Sequence, residues 1–374
     1  MGIMSHLFNA LPIQREKIVL YSFTETYADQ PKYIAEELLR RQLPVRLVWV
    51  SEHKRVDTPR GIHSACGKYA ARYHLATAGL IISNHRLHFY WPKGYRKKRG
   101  QFYLQTWHGS FGIKKMEADV PGSAGSAYLH KARLDSQHID LLLSNCSWLT
   151  RIFRASFFYS GPILECGSPR NDILFAPGHT AARVRRALGL PADRKLLLYA
   201  PTFRDGAEGA LPPALPDFAA LRRALTTRFG GEWSILLRLH PGRRKRPAPL
   251  PPLPDHVQDV SHWPDAAELL AAADAMVSDY SSCIFDYLLT GRPAFIYAPD
   301  APTYSTTRGL YYPLTDTPFP LAQNFLSLLF NVENFNPESY QTQVTNFLRA
   351  RASHETGHAA ECVVNHIADT VLTL

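Results

Sequence analysis

Val277-Ser278-Asp279-Tyr280-Ser281-Ser282-Cys283-Ile284-Phe285-Asp286-Tyr287-Leu288-Leu289 holds three local signals in one run. An apolar strand ends at Ser278, a polar turn follows, and an amphipathic helix starts behind it. Strand, turn and helix in immediate succession are the repeating unit of a doubly wound α/β sheet. The turn presents backbone N–H groups and the hydroxyls of Ser281 and Ser282 at the positive end of a helix. Such a corner stabilises a phosphate, and it also serves as an ordinary N-cap.

Working outward, the same rhythm fills the chain. Buried strands are expected at Lys17–Phe23, Val45–Val50, Leu80–Ser83, Phe102–Thr106, Leu141–Ser144 and Ile163–Cys166. Pro31 opens a helix through Ile34, Leu38 and Leu39 between the first two strands. The pattern restarts at Lys195–Ala200 and continues at Trp233–Arg238, Ala275–Ser278 and Ala294–Tyr297. Apolar runs alternating with helical patterns predict parallel sheets covered on both faces. Between the two series lies Pro177-Gly178, then an Arg-rich helix ending at Gly189, so the sequence predicts two domains, 1–178 and 179–374. Two Pro-rich stretches, Leu211–Pro216 and Pro247–Pro254, read as stiff surface connectors.

The chain has 374 residues, 45% of them hydrophobic, enough for two sizeable cores. No apolar run approaches the roughly 18 residues needed to cross a bilayer, and the first residues lack a secretory pattern. The five cysteines show no paired spacing and read as buried, reduced thiols. The formal net charge of +10 predicts an anionic partner. It clusters at Lys93–Arg99, behind the aromatic run Phe89-Tyr90-Trp91, and at Arg243–Arg246. Aromatics beside cations suit a lipid interface, so an anionic membrane surface is expected in preference to nucleic acid.

Three more polar clusters end strands: Thr106-Trp107-His108-Gly109, Pro201-Thr202-Phe203-Arg204-Asp205 and Arg238-Leu239-His240-Pro241. His108 is suited to take a proton from an attacking hydroxyl, or to pack as a structural histidine. His240 with Arg238 is placed to neutralise a pyrophosphate or protonate a leaving phosphate. Arg204 is an anion clamp or a surface partner of Asp205. Ser168-Pro169-Arg170-Asn171-Asp172 holds a phosphate or caps the next helix. His85-Arg86-Leu87-His88 has no carboxylate nearby in sequence and reads as surface. His354-Glu355-Thr356-Gly357-His358 matches a zinc pattern, but Val364 and Asn365 stand where a third histidine would follow, and Gly357 weakens the helix. No metal and no cofactor is expected. Two histidines, several arginines and a hydroxyl-rich helix start describe displacement at a phosphate.

Taken together and in this order, several of these motifs resemble the CDP-glycerol glycerophosphotransferases of teichoic-acid synthesis. They are Gln105–Gly109 with Lys114-Lys115, Gly167–Asp172, Ala200–Arg204, Arg238–Pro241, Ser278–Ser282 to Asp286–Leu289, and Tyr297–Asp300 with Arg308-Gly309. The resemblance implies a GT-B-like fold, two Rossmann-type doubly wound domains facing across a cleft. It implies an N-terminal acceptor and membrane-side domain and a C-terminal CDP-donor domain, in an enzyme peripherally associated with the cytoplasmic face of the cell membrane. The donor would be CDP-glycerol, and the acceptor a polyprenyl-linked sugar or a polyol-phosphate end. The family's two important histidines carry over to His108 and His240. Its donor site carries over to Thr202, Arg204, Ser281 and Ser282, and Arg170, Asn171, Arg238 and Asp286 are expected to join them in substrate binding. CDP-ribitol chemistry and nucleotide-sugar transfer are the alternatives; outside enzymes, a membrane- or nucleic-acid-binding module. The chain departs from the family where Ser110-Phe111-Gly112 follows the histidine, where Glu117-Ala118-Asp119 follows the lysines, and where Leu310-Tyr311-Tyr312-Pro313-Leu314 follows Gly309.

Overall fold

The structure, a computed structural model, describes residues 3–87, 97–123, 125–202, 215–239, 250–301, 304 and 309–372. Two compact units emerge. The first comprises residues 1–109, 116–172 and 352–374, the second residues 110–115 and 173–351.

Among the described residues seven parallel strands build the first unit: β1 (Gln14–Tyr21), β2 (Arg46–Ser51), β3 (Ile62–Cys66), β4 (Ala78–Ser83), β5 (Phe102–Gln105), β6 (Leu141–Ser144) and β7 (Ile163–Glu165), in the order β3-β2-β1-β4-β5-β6-β7. Central strands are buried on both faces, which is why they read as continuous apolar runs. Along each, alternate residues share a face. Ile18 and Leu20, Leu80 and Ile82, Leu104, and Leu141 and Leu143 form one side of the core, closed by Ile34 and Leu38 of helix Asp29–Arg40.

Helix Ala359–Thr370 completes that core with Val363, Val364 and Ile367, all with 0% exposure. The expected division at 178/179 therefore differs from the observed one. The first unit ends at Asp172 and takes back the last 23 residues, because their apolar stripe is buried on its sheet.

Among the described residues the second unit has six parallel strands: β8 (Lys195–Ala200), β9 (Trp233–Leu237), β10 (Val257–Asp259), β11 (Ala275–Ser278), β12 (Ala294–Tyr297) and β13 (Leu321–Ala322), in the order β10-β9-β8-β11-β12-β13. Each sheet reverses its order once, at β1/β4 and at β8/β11. Open α/β sheets bind ligands beyond the carboxyl ends of the strands at such reversals.

The cysteines are all free thiols; Cys146 and Cys166 are buried, whereas Cys66 is exposed, contrary to the reading of all five as buried. Among the described residues, no helix is long and apolar enough to cross a membrane.

Candidate functional site

In the first unit, the reversal between β1 and β4 assembles a cage around His108. Thr106 continues past β5 by donating its N–H to the Ser83 carbonyl at 2.8 Å. The Gln105 side chain accepts from the Trp107 N–H at 2.8 Å, and Trp107 takes a φ of +53°. A side chain in the left-handed region is uncommon and turns the chain sharply. The next residue, His108, then lies against Phe23 beyond β1, with His85 beyond β4 stacked on it; the ring centroids are 4.9 and 5.7 Å away. The Trp107 indole sits 4.3 Å from the imidazole.

The hydrogen bond at the ring decides its chemistry. Nδ1 of His108 lies 2.8 Å from the backbone carbonyl of Asn84. A carbonyl only accepts, so Nδ1 carries the proton and Nε2 carries the free lone pair. Burial, reinforced by the neighbouring His85, lowers the pKa of His108 to about 4. Although the ring is only half-buried by exposure, it is closely packed, and it is neutral at physiological pH. A neutral imidazole with a free Nε2 is a general base.

Arg170 holds this arrangement from the other side. Its Nη1 donates to the His108 carbonyl and to Asp29 Oδ1, each at 2.8 Å. The segment carrying Arg170 is fixed by Glu355. Glu355 Oε2 accepts from the Ser168 N–H at 3.1 Å, and Oε1 accepts from Asn145 at 3.0 Å and Asn171 at 2.8 Å. Gly167 has a φ of +88°, and a Cβ there would stand 3.0 Å from Glu355 Oε2, so glycine is required. Asp172 accepts from the N–H groups of Ala359 and Ala360, capping helix Ala359–Thr370. The expectation that Ser168–Asp172 caps the next helix differs from what is found: Asp172 caps a helix distant in sequence. Asn171 has 0% exposure and is engaged with Glu355.

Arg86 overturns the expectation of a surface segment; it has 0% exposure. Its guanidinium contacts Glu117 at 3.1 Å and Asp135 at 3.2 Å, and bonds to Ser136 and to the carbonyls of Ala132 and Phe157. It lies 4.1 Å from the Phe157 ring centroid, and Phe157 meets Trp107 edge-on at 4.6 Å. The carboxylates come from distant positions in the sequence, which is why local reading missed them. His88 lies outside the described residues.

In the second unit, Thr202 beyond β8 meets Asp279 beyond β11. Asp279 accepts from the Thr202 N–H at 2.9 Å, the Thr202 hydroxyl at 2.5 Å and the Tyr280 N–H at 2.6 Å. The carboxylate thus ties the two strand ends at the reversal and leads into Ser281-Ser282 and helix Cys283–Tyr287. Among the described residues the Ser282 hydroxyl makes no hydrogen bond, whereas Ser281 Oγ contacts the Cys283 thiol at 3.0 Å. Arg238 bonds to the Trp263 carbonyl at 2.8 Å; burial raises the pKa of the Cys283 thiol, and the Arg238 charge partly offsets that rise. Asp286 is buried and accepts from the Ser110 hydroxyl.

Two of the three departures from the family pattern touch within this unit. The Tyr312 hydroxyl donates to the Phe111 carbonyl at 3.1 Å, and the Tyr311 N–H to that of Ile113 at 2.8 Å.

His240, Arg204, residues 88–96 and Arg243–Arg246 lie outside the described residues. Of the first basic cluster, Lys97 pairs with Asp140 at 2.7 Å, Lys98 donates to the Leu11 carbonyl, and Arg99 is exposed. Among the described residues no group of His, Cys, Asp or Glu suits a metal ion. His354 and His358 precede the last helix and face Glu165 and Glu361 separately.

Two parallel doubly wound sheets, each with polar clusters at its reversal, define a GT-B-like protein of two Rossmann-type units. The chain belongs to the CDP-glycerol:poly(glycerophosphate) glycerophosphotransferase family, whose model matches residues 3–369. It is 29% identical over 367 residues to a teichoic acid poly(glycerol phosphate) polymerase of Staphylococcus epidermidis, covering 94% of this chain and 50% of that one. It is 33% identical over 362 residues to a teichoic acid glycerol-phosphate transferase of Staphylococcus aureus, covering 91% and 90%. The chain thus spans about half the length of some curated relatives, such as the polymerase, and nearly all of others. Ribitol-phosphate primases and polymerases stand among the other matches. In structure it is similar to the wall teichoic acid polymerase TagF, solved as a histidine variant soaked with CDPG, with a TM-score of 0.84 at 28% identity over 99% of this chain and 93% of that one.

Proposed function

We propose that this protein transfers glycerol phosphate from CDP-glycerol to a hydroxyl of a lipid-linked teichoic-acid- or capsule-type acceptor, releasing CMP. The acceptor oxygen attacks the phosphorus that bears glycerol, the bond from that phosphorus to the CMP oxygen breaks, and the hydroxyl proton passes to His108 Nε2. The observation that carries this reading is the fixed Nδ1–H tautomer of a neutral His108, supported by family membership. A positioned base contributes about 10² to 10⁴ in rate. In-line transfer places the remaining demand on fixed positive charge around the diphosphate.

Ser281, Ser282 and Arg238 hold that diphosphate, with Arg204 and His240 as its further cationic contacts. Thr202 and Asp286 act by shaping the Ser-Ser corner, and Arg170 and Asn171 by fixing the base. The first unit takes the acceptor and the second the donor. The net charge of +10 supports peripheral attachment to the anionic cytoplasmic face of the membrane. Transfer of ribitol phosphate is the second reading, favoured by the ribitol-phosphate enzymes among the relatives.

Incubation with CDP-glycerol or CDP-ribitol and a synthetic lipid-linked acceptor, followed by chromatography of CMP, tests the proposal. CMP release that depends on both acceptor and CDP-glycerol is expected. Release from CDP-ribitol alone would establish the second reading, and release from neither would refute both.

A further inference from the structure

Asp29 opens helix Asp29–Arg40 with a φ of +63°, a left-handed conformation held at a non-glycine residue. Such conformations persist where surrounding contacts over-determine them. Here the contacts converge on the carboxylate. Oδ1 accepts from Arg170 Nη1 and from the Gln30 N–H, each at 2.8 Å, and Oδ2 accepts from Asn84 Nδ2 at 2.7 Å. Both residues that grip His108 are therefore gripped by Asp29. Asn84 offers its carbonyl to the ring at 2.8 Å, and Arg170 donates to the His108 carbonyl at 2.8 Å. The second side-chain atom of Asn84, Oδ1, accepts from the Phe23 N–H at 3.0 Å, so its plane is fixed at both ends. Phe23 is also one of the rings packed on His108.

We propose that Asp29 is the positioning residue of the base: through Asn84 and Arg170 it holds the His108 imidazole in the Nδ1–H tautomer that leaves Nε2 free. The carboxylate never touches the imidazole. It works one residue removed, by orienting the peptide whose carbonyl selects the tautomer. Its charge has a second effect in the same direction. When Nε2 takes a proton the ring becomes a cation, and the charged groups acting on it are Asp29, His85 and Arg170. Among these Asp29 alone is negative. The role rests on the reading of His108 as base, so its test needs a readout that does not depend on turnover.

That readout is the ¹⁵N spectrum of the histidine ring nitrogens in the full chain, with His108 assigned by comparison with His108→Asn. In the wild type, Nδ1 is expected at a protonated shift and Nε2 at an unprotonated one at neutral pH. Asp29→Asn replaces two acceptor oxygens by one and removes the charge. Both His108 nitrogens should then move toward the average of the two tautomers, and kcat should fall about 10- to 100-fold, by analogy with the loss when the partner orienting a metal-bound imidazole is removed. CMP affinity measured by calorimetry should stay within about 2-fold. Asn84→Ala, which cuts the strap while keeping the Asp29–Arg170 pair, should move the shifts the same way and serves if Asp29→Asn does not fold. Unchanged ring shifts in both variants would overturn the proposal. If the shifts move as expected but no form of the enzyme turns over CDP-glycerol, the positioning role stands and the proposed reaction fails.

Discussion

Replacing Arg86 by Met is the most demanding test of how the site is held. The side chain of Arg86 has 0% exposure, and its two carboxylate partners, Glu117 and Asp135, have side-chain exposures of 2% and 0%. Solvent therefore screens neither pair. Methionine keeps most of the packing over Phe157 but removes the charge and every donor. Two buried carboxylates and the carbonyls of Ala132 and Phe157 then lose a partner. Breaking a buried pair by removing one member costs about 3–5 kcal/mol, because the remaining charge stays buried and uncompensated. Tyr128 still donates to Glu117 and the Leu87 N–H to Asp135, so the lower half of that range, about 3–4 kcal/mol, is expected. Arg86→Lys should recover part of it, since one ammonium has fewer donors than the acceptors gathered here. Urea unfolding followed by tryptophan fluorescence is the assay, because Trp107 rests on Phe157. The triple variant with Glu117→Gln and Asp135→Asn should cost less than the sum of its parts. A loss below about 1 kcal/mol for Arg86→Met, or strict additivity in the triple variant, would refute the claim that this cluster supports the Trp107–His108 corner.

Further outcomes are specific to each part. With a base whose pKa is about 4, kcat/KM should stay level from pH 7 to pH 5 and be lost as pH falls through about 4, as a pH–rate profile would record. His74 is buried, and desolvation, aided by Lys17, lowers its pKa from 6.5 to about 4. Its folded-state pKa is depressed, so the stability it contributes is present above pH 6.5 and lost as pH falls toward 4, about 3 kcal/mol in all. His74→Gln should flatten that part of the stability profile measured by urea titration. Ser281→Ala with Ser282→Ala should weaken CMP binding about 10-fold by calorimetry while shifting stability by less than about 0.5 kcal/mol, because the Ser282 hydroxyl has no partner among the described residues. Thr202→Val should instead cost about 1–2 kcal/mol, since it removes a hydroxyl donor from buried Asp279.

The centres of both sheets were legible from sequence, and of the four edge strands only β7 was. Strands β1, β2, β4, β5, β6, β8, β9, β11 and β12 are apolar runs. The strands missed, β3, β10 and β13, all lie at sheet edges; β3 and β10 are partly exposed and of mixed composition, and β13 is only two residues long. The same contrast holds at the site. His108, Ser281 and Ser282 stood out because each follows a strand in a short polar motif. Asp29, Asn84 and Asp279 act at right angles to the chain, joining ends of strands far apart in sequence. Only sheet order brings them together. Asn84 and His85 did carry a faint signal, since they follow β4 as His108 follows β5. Glu355 was read inside a metal motif, whereas its carboxylate bonds to the Gly167–Asn171 turn because the segment before Ala359 is not helical.

A neutral imidazole at position 108 is the base proposed to drive cleavage of a cytidine diphosphate by an alcohol. Mass spectrometry of products from CDP-glycerol and a lipid-linked acceptor, run beside calorimetry of CDP-glycerol binding for wild type and His108→Ala, tests this most directly. The wild type should add glycerol phosphate and release an equal amount of CMP. His108→Ala should bind the donor as tightly and lose about 10² to 10⁴ in turnover. Undiminished transfer by His108→Ala, or a loss traced wholly to donor binding, would contradict it.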